Sequence, residues 1–183
     1  MAIAGETITH PVNGEQITFI RTSADTDGAL AELEFRLPAG MTPCPEHVHP
    51  QSTETIAVHE GALRVMIDGR LHLVGAGESI ALEPGTAHTY IAVGDTRITA
   101  TYAPALGMDD FFIDLLAIAE AGDVDERGVP HHLPLMVLLD DYPDACYLAT
   151  PTVAPRKETI RTLACSGRMH GYGRTASISR VAA

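Results

Sequence analysis

The sequence predicts a mainly β protein with a helical tail, and two contrasting patterns carry that prediction. From Glu6 to about Pro104, β-rich segments alternate with turn signals at intervals of about ten residues, which is typical of a sandwich or a barrel. After Pro104, apolar residues recur at helical spacing instead. We therefore expect residues 1–104 to form a β-barrel and residues 105–183 to form a helical tail, packed on the barrel or on a dimer partner.

The β half begins with a hairpin signal at Asn13-Gly14, a dipeptide that favours tight turns between strands. The segment ALRVMIDGRLHLV (residues 62–74) predicts a second hairpin that turns at Asp68-Gly69. After this turn, Leu71 and Leu73 are expected to resume the apolar inward face, which leaves His72 outside. Further strands are predicted in GESIALEP, AHTYIAV and TRITATYAP.

The tail begins with the segment MDDFFIDLLAIAEAGDVD, which predicts a helix that ends at Gly122. Asp109 and Asp110 are expected to be solvated at its start, where the helix dipole favours negative charge. Two more helices are predicted, over residues 133–142 and from about residue 157 to before Gly171. The first helix carries a stripe too apolar to face water, made of Phe111, Phe112, Leu115, Leu116 and Ile118.

Composition narrows the expected partners and location. Twelve basic against twenty-four acidic residues leave a formal net charge of −12. A nucleic-acid partner needs a basic face and is not expected, and neither is an anionic membrane surface. The first residues, MAIAGETITHPV, show no basic segment before an apolar run, so no secretory signal is expected. Three scattered cysteines, Cys44, Cys146 and Cys165, do not suggest a disulfide framework and fit a reducing cytoplasm.

The stretch PCPEHVHPQSTETIAVHEG (residues 43–61) concentrates candidate metal ligands. His47 and His49 are two residues apart, so in a strand their side chains point to the same face. Glu54 would face away on an unbroken strand, but a bend at Pro50 and the polar residues after it brings Glu54 round. One HxH pair in a chain with nine histidines is a weak signal by itself.

A second stretch strengthens the prediction of a metal site. The segment GESIALEPGTAHTYIA (residues 77–92) ends one strand in a Pro-Gly turn and starts another at His88. In a closed antiparallel barrel, His88 can join His47, His49 and Glu54. Three imidazoles and one carboxylate suit borderline divalent metals, here Fe, Mn, Ni, Co or Zn, and the sequence does not choose among them.

The two stretches resemble the motifs of the cupin family. The first motif, G(x)5HxH(x)3-4E(x)6G, is matched, with one extra residue before the first histidine, by Gly40, His47, His49, Glu54 and Gly61. The second motif, G(x)5PxGxxH(x)3N, is matched by Gly77, Gly85 and His88. The chain departs from it at Glu83, where the motif has proline, and at Ala92, where it has asparagine. Neither position is a metal ligand in the family.

The resemblance implies a small single-domain bacterial cupin with a conserved type-2 barrel, that is, an antiparallel jelly roll or double-stranded β-helix, and a C-terminal helical extension. It implies one divalent metal held by His47, His49, Glu54 and His88. It also implies small-molecule chemistry, either dioxygenase-like or a redox-neutral isomerase or lyase reaction on a Lewis-acid metal. Glu54 is the candidate catalytic base if it leaves the metal.

Two further expectations follow from the same resemblance. A non-catalytic cupin that binds or senses a small ligand is the alternative to a metalloenzyme, because the sequence shows no obvious second acid or base. Cupins commonly pair through barrel faces, which implies a homodimer.

The remaining polar and aromatic candidates are interpreted as structural. Surface or helix-flanking positions are expected for His10, His59, His131, His132 and His170. Cys44, three residues before His47, is interpreted as a buried or loop thiol. Tyr90 shares the parity of His88 along a strand, so its ring is expected on the inward face.

Overall fold

A computed structural model describes residues 1–42, 44–149 and 157–173, and it begins with an antiparallel hairpin. The strands β1 (Thr7–Thr9) and β2 (Gln16–Arg21) form the hairpin predicted at Asn13-Gly14, and β3 (Ala31–Leu37) pairs with β2. Gly14 has a φ of 76°, in the left-handed region that glycine enters without strain.

Two long strands organise the rest of the barrel. The remaining barrel strands are β4 (His47–Val48), β5 (Thr53–Ile67), β6 (Arg70–Gly75), β7 (Ser79–Leu82) and β8 (His88–Ala103). β8 pairs with β3, β4 and β5, while β5 also pairs with β6 and β7, and every pairing is antiparallel. The predicted mainly β, antiparallel jelly-roll fold is confirmed.

One difference from the predicted strands concerns β8. The segments AHTYIAV and TRITATYAP, expected as separate strands, are one continuous strand that passes through Gly94. The register between β5 and β8 shifts on either side of Glu60, and Gly61, which lies within the second shift, has a φ of 74°. A bulge of this kind bends two paired strands without ending them, so both strands can follow the curvature of the barrel.

The tail contains three helices and one short strand. The helices α1 (Met108–Glu120), α2 (His132–Asp141) and α3 (Lys157–Met169) lie close to their predicted bounds. The strand β9 (Tyr147–Leu148), which the sequence pattern did not predict, pairs with β4 and joins the tail to the barrel sheet. The expected tail also includes residues 150–156 and 174–183, which lie outside the described residues.

Helix α1 lies against the barrel through its aromatic residues. The ring of Phe112 lies 5.2 Å from that of Phe35 on β3 and 6.3 Å from that of Tyr102 on β8, measured between centroids. Such edge and tilted contacts between aromatic rings stabilise packing beyond the area they bury. Phe112 of the apolar stripe therefore packs against barrel residues.

The start of α1 corrects one prediction. Asp109 is not solvated, because it is only 2% exposed. Its carboxylate accepts hydrogen bonds from the backbone N–H of Ser23 at 2.9 Å and from the Ser23 hydroxyl at 2.8 Å. The neighbouring Asp110 accepts a hydrogen bond from the backbone N–H of Ala2 at 2.8 Å. Both acids therefore attach the tail to earlier parts of the chain.

The second hairpin corrects another prediction, because Leu71 and Leu73 are 61% and 69% exposed. The two-residue turn at Asp68-Gly69 pairs Ile67 with Arg70, so Val65 lies opposite His72 and Leu63 opposite Val74. Directly paired residues of antiparallel strands share a face. Val74 is therefore the buried residue of β6, and the two leucines point outward.

Among the described residues, no helix combines the length and the apolar character needed to cross a lipid bilayer.

Candidate metal centre

The first three candidate ligands come from one bent segment. His47 lies in β4, His49 follows it, and Glu54 is the second residue of β5. The chain bends between the two strands, where the Ser52 hydroxyl donates a hydrogen bond to the carbonyl of Pro104 at 2.7 Å. Because the strand is interrupted here, Glu54 returns to the face that carries the two histidines.

His88, the first residue of β8, completes the cluster. Its register places it directly opposite His47, and the two imidazole centroids lie 4.3 Å apart. All four side chains are buried, and each offers a ligand atom within 4.8 Å of the other three. Two ligands of one metal at about 2.1 Å lie at most about 4.2 Å apart, so the cluster needs only a small inward movement to enclose an ion.

Backbone carbonyls orient all three imidazoles. Each Nδ1 lies at hydrogen-bond distance from a carbonyl oxygen, so with Nδ1–H as the donor each Nε2 keeps its lone pair free. The acceptors for His47, His49 and His88 are the carbonyls of Pro45, Ala145 and Thr86, at 2.9, 2.7 and 3.0 Å. Hydrogen bonds of this kind fix the tautomer and orientation of metal-binding histidines.

The atoms at the centre of the cluster lack well-directed partners. Nε2 of His88 lies 2.8 Å from Oε2 of Glu54, and Nε2 of His49 lies 3.4 Å from the same oxygen. Nevertheless, these three buried atoms make no hydrogen bond of acceptable geometry within the described residues. Leaving buried polar atoms unpaired is costly, so their convergence fits a cation that would bind all of them.

The charges in the cluster also suit a cation. Burial, followed by the other two imidazoles, lowers the pKa of His47 to about 3, so this ring is neutral at neutral pH. Burial opposes the charge on Glu54, but the close approach and the charge of His49 and His88 outweigh it and hold the pKa of Glu54 well below its usual range. Burial likewise opposes the charge on His88, but Glu54 outweighs it and raises the pKa of His88.

A cavity of about 80 Å³ borders this cluster and is lined by residues of both the barrel and the tail. His47, His49, Tyr90 and Tyr102 line it from the barrel. Its apolar wall includes Phe35, Met108, Phe111, Phe112, Leu135 and Leu139. Tyr90 and Tyr102 are buried, as expected for inward positions of β8. The candidate cluster of His47, His49, Glu54 and His88 therefore borders a small, largely apolar space.

Two cavity residues were missed or misplaced at the sequence level. His10, expected on the surface, is only 9% exposed, and its Nε2 lies 3.2 Å from the carbonyl of Gly128. Glu15 is 5% exposed and also lines the cavity. The alternation of Ile17 and Phe19, extended backward by one step, places Glu15 on the inward face, so the strand period carried this signal.

The other histidines and the cysteines lie apart from the centre. His59 is exposed, His131 and His132 flank the start of α2, and His170 is exposed at the end of α3, as predicted. The thiols of Cys44 and Cys146 line the cavity, whereas Cys165 is exposed.

The fold and the four-residue centre together define a jelly-roll barrel with a buried histidine and glutamate cluster. Residues 33–102 match the family model of the cupin domain. The barrel of this chain is therefore a cupin domain, and the family resemblance inferred from the two motifs is confirmed. No curated protein matches the chain in sequence.

Solved structures align with part of this chain, and three of them are KdgF, an RmlC-like cupin and Pac13. KdgF from a Halomonas species aligns with a TM-score of 0.48 at 16% identity, covering 54% of this chain and 87% of KdgF. An RmlC-like cupin from Shewanella frigidimarina aligns with a TM-score of 0.48 at 20% identity. The alignment covers 55% of this chain and 85% of the Shewanella protein. The Streptomyces nucleoside dehydratase Pac13 aligns with a TM-score of 0.46 at 19% identity. The alignment covers 57% of this chain and 82% of Pac13.

Proposed function

We propose that this protein is a metal-dependent cupin that acts on a small organic molecule, with His47, His49, Glu54 and His88 as ligands of one divalent ion. The observation that carries the proposal is the convergence of three imidazole Nε2 atoms and one carboxylate in a buried cluster. Each imidazole is already oriented by a backbone carbonyl. Fe, Mn, Ni, Co and Zn all accept this ligand set.

The metal would supply Lewis acidity, and in a redox-active form the capacity for dioxygen chemistry. The residues around the ion would balance its charge and set the pH dependence of its binding. Glu54 supplies the negative charge that offsets a divalent cation in a buried site. Binding of the ion displaces the proton that Glu54 stabilises on His88, so affinity falls as pH decreases. A catalytic role for Glu54 as a base requires this carboxylate to leave the metal and both neighbouring imidazoles.

The ligand assignment is tested by metal analysis of protein purified without an affinity tag. Glu54→Gln and His88→Ala should each weaken zinc binding by roughly ten-fold or more, since each removes one ligand. His59→Ala is the matched control, because His59 is an exposed histidine on β5, outside the cluster. Unchanged affinity in both cluster variants would contradict the assignment.

The reaction class is tested with the metal-loaded forms and a panel of small oxygenated substrates. Oxygen uptake by the Fe form, without turnover by the Zn form, supports a dioxygenase-like enzyme, because zinc has no redox chemistry. Turnover without air, in the Zn or Mn form, supports a redox-neutral isomerase or lyase. Saturable binding without product in every form supports the alternative, a ligand-binding or sensing cupin, and overturns the enzyme proposal.

We also infer a homodimer that forms through the outer face of β6, β5 and β8. This face carries exposed apolar side chains at Leu71, Leu73, Ile91 and Val93. Exposed apolar patches of this kind are typical of protein interfaces. We also propose a cytoplasmic location, because the three scattered cysteines fit a reducing compartment. A division of the chain at residue 104 into a barrel and a tail is likewise a proposal.

A further inference from the structure

Glu15 is a carboxyl group that lines the cavity, and it is not part of the candidate cluster of His47, His49, Glu54 and His88. Its side chain is 95% buried, since only 5% of its surface is exposed. The backbone at Glu15 is held by its neighbours: its N–H donates to Asn13 Oδ1 at 3.1 Å, and its carbonyl accepts from the His10 N–H at 2.8 Å. In contrast, Oε1 of the side chain has no hydrogen-bond partner among the described residues.

The groups that surround Glu15 do not compensate a negative charge. Nε2 of His10 lies 3.2 Å from the carbonyl oxygen of Gly128, and Nδ1 of the same ring accepts a hydrogen bond from the N–H of Val12 at 3.2 Å. A ring with one donating and one accepting nitrogen is a neutral imidazole. Burial lowers the pKa of His10 and raises that of Cys44. Arg127 also borders the cavity, but its Nη2 pairs with Asp125 Oδ2 at 3.1 Å and its side chain is largely exposed.

The protonation state of Glu15 follows from this environment. Burial, with no charged partner among the described residues, raises its pKa from 4.5 to about 8, so the group is mainly a neutral carboxylic acid at pH 7. A neutral carboxyl is a hydrogen-bond donor as well as an acceptor. Burial raises the pKa of the Tyr90 phenol, and the negative charges of Glu54 and Glu15 raise it further. Tyr90 is therefore close enough to Glu54 and Glu15 to interact electrostatically with both carboxyl groups.

We propose that Glu15 is a second substrate anchor, which donates a hydrogen bond to a carbonyl oxygen of a small molecule whose carboxylate or enolate binds the metal. The geometry supports this, because one cavity is lined by Glu15, by an apolar wall and by two imidazoles of the candidate cluster, His47 and His49. Its volume of about 80 Å³ is far below the roughly 300–1,000 Å³ of pockets for drug-sized ligands. The substrate class is therefore short oxo acids with a compact apolar body.

This inference rests on the proposed metal centre, so the experiment separates the two. Calorimetry on the zinc-loaded protein compares a series of oxo acids, from pyruvate to 5-oxohexanoate, with the unsubstituted acid of the same length. The wild type should bind at least one oxo acid roughly three- to ten-fold more tightly than its unsubstituted partner, the value of one neutral hydrogen bond. This preference should disappear as the pH rises above 8, where Glu15 loses its proton.

Two variants complete the test. Glu15→Gln keeps a donor, so it should keep the preference and lose its pH dependence. Glu15→Met removes the donor at similar volume, so it should bind both members of each pair equally. A second readout does not need metal: the infrared band of a protonated carboxyl should be present at pH 6 in the metal-free wild type and absent in Glu15→Gln.

The outcomes are distinguishable. If the protein binds zinc and the acids, but no oxo acid is preferred in any pair, the role of Glu15 is refuted and the metal centre is retained. If zinc does not bind, the metal proposal fails. The infrared measurement then still decides whether Glu15 is a neutral acid, and an ionised Glu15 at pH 6 overturns the inference.

Discussion

Replacing Glu15 by glutamine should change how the stability of the protein depends on pH. The folded-state pKa of Glu15, about 8, lies above its ordinary value of 4.5 in an unfolded chain. The stabilisation from protonation is therefore complete below pH 4.5 and is lost as the pH rises through 8. With about 1.4 kcal/mol per pKa unit, the wild type loses about 4 kcal/mol of unfolding free energy between pH 5 and pH 9 through this group.

The assay is urea unfolding followed by circular dichroism, since the chain has no tryptophan to report by fluorescence. Chelator is present throughout, so that metal binding does not contribute. Gln is nearly isosteric with a neutral Glu, so the two proteins should be about equally stable at pH 5. At pH 9 the Glu15→Gln midpoint should be higher by about 2 M urea, given a slope of about 2 kcal/mol per molar.

The difference between the two proteins isolates Glu15, because every other titrating group is common to both. His10 and His47, for example, have lowered pKa values and are present in both proteins. Midpoints that run parallel from pH 5 to pH 9 would refute the reasoning, since they would show that Glu15 keeps its ordinary pKa in the folded state.

Two further predictions concern the barrel and the thiols. Gly61→Ala should lower the melting temperature by roughly 6–12 °C, because a Cβ there would meet the Asp95 carbonyl at 2.6 Å in a backbone region unfavourable for alanine. Gly94→Ala is the control, since its φ is also positive but a Cβ there would meet no atom within 4 Å among the described residues beyond its chain neighbours. A drop as large in this variant would contradict the clash at Gly61. At pH 8, Ellman's reagent should modify only one thiol rapidly, the exposed Cys165, since burial raises the pKa of Cys146 to about 12 and also raises that of Cys44. A fast phase that persists in Cys165→Ser would count against this assignment.

The strand period and the turn signals predicted most of the fold because they act locally. The Asp68-Gly69 turn was located correctly, yet the faces of Leu71 and Leu73 were assigned wrongly. A two-residue turn fixes the register, and that register puts His72 opposite Val65. The faces of the two leucines therefore follow from the geometry of the turn and not from their apolar character.

The candidate centre was predicted more completely than its surroundings. Motif spacing alone indicated that His47, His49, Glu54 and His88 converge, and the structure brings these side chains together. The cavity was not predictable in the same way, because it is lined by residues far apart in the chain. His10 reaches Gly128 over 118 positions, and no local pattern encodes a contact of that range. Asp109 was misjudged for the same reason, since its partner is Ser23.

The hydrogen bond between His49 and the carbonyl of Ala145 has a consequence for any attempt to recombine this protein. The ring belongs to the barrel, but the group that holds its tautomer belongs to the tail, and β9 of the tail also pairs with the strand that carries His47. A graft that transplants the motif-bearing barrel alone would carry all four candidate ligands but would lack the carbonyl of Ala145 that holds the ring of His49. A substitution in the tail that moves this carbonyl would therefore change the orientation of a side chain in the barrel.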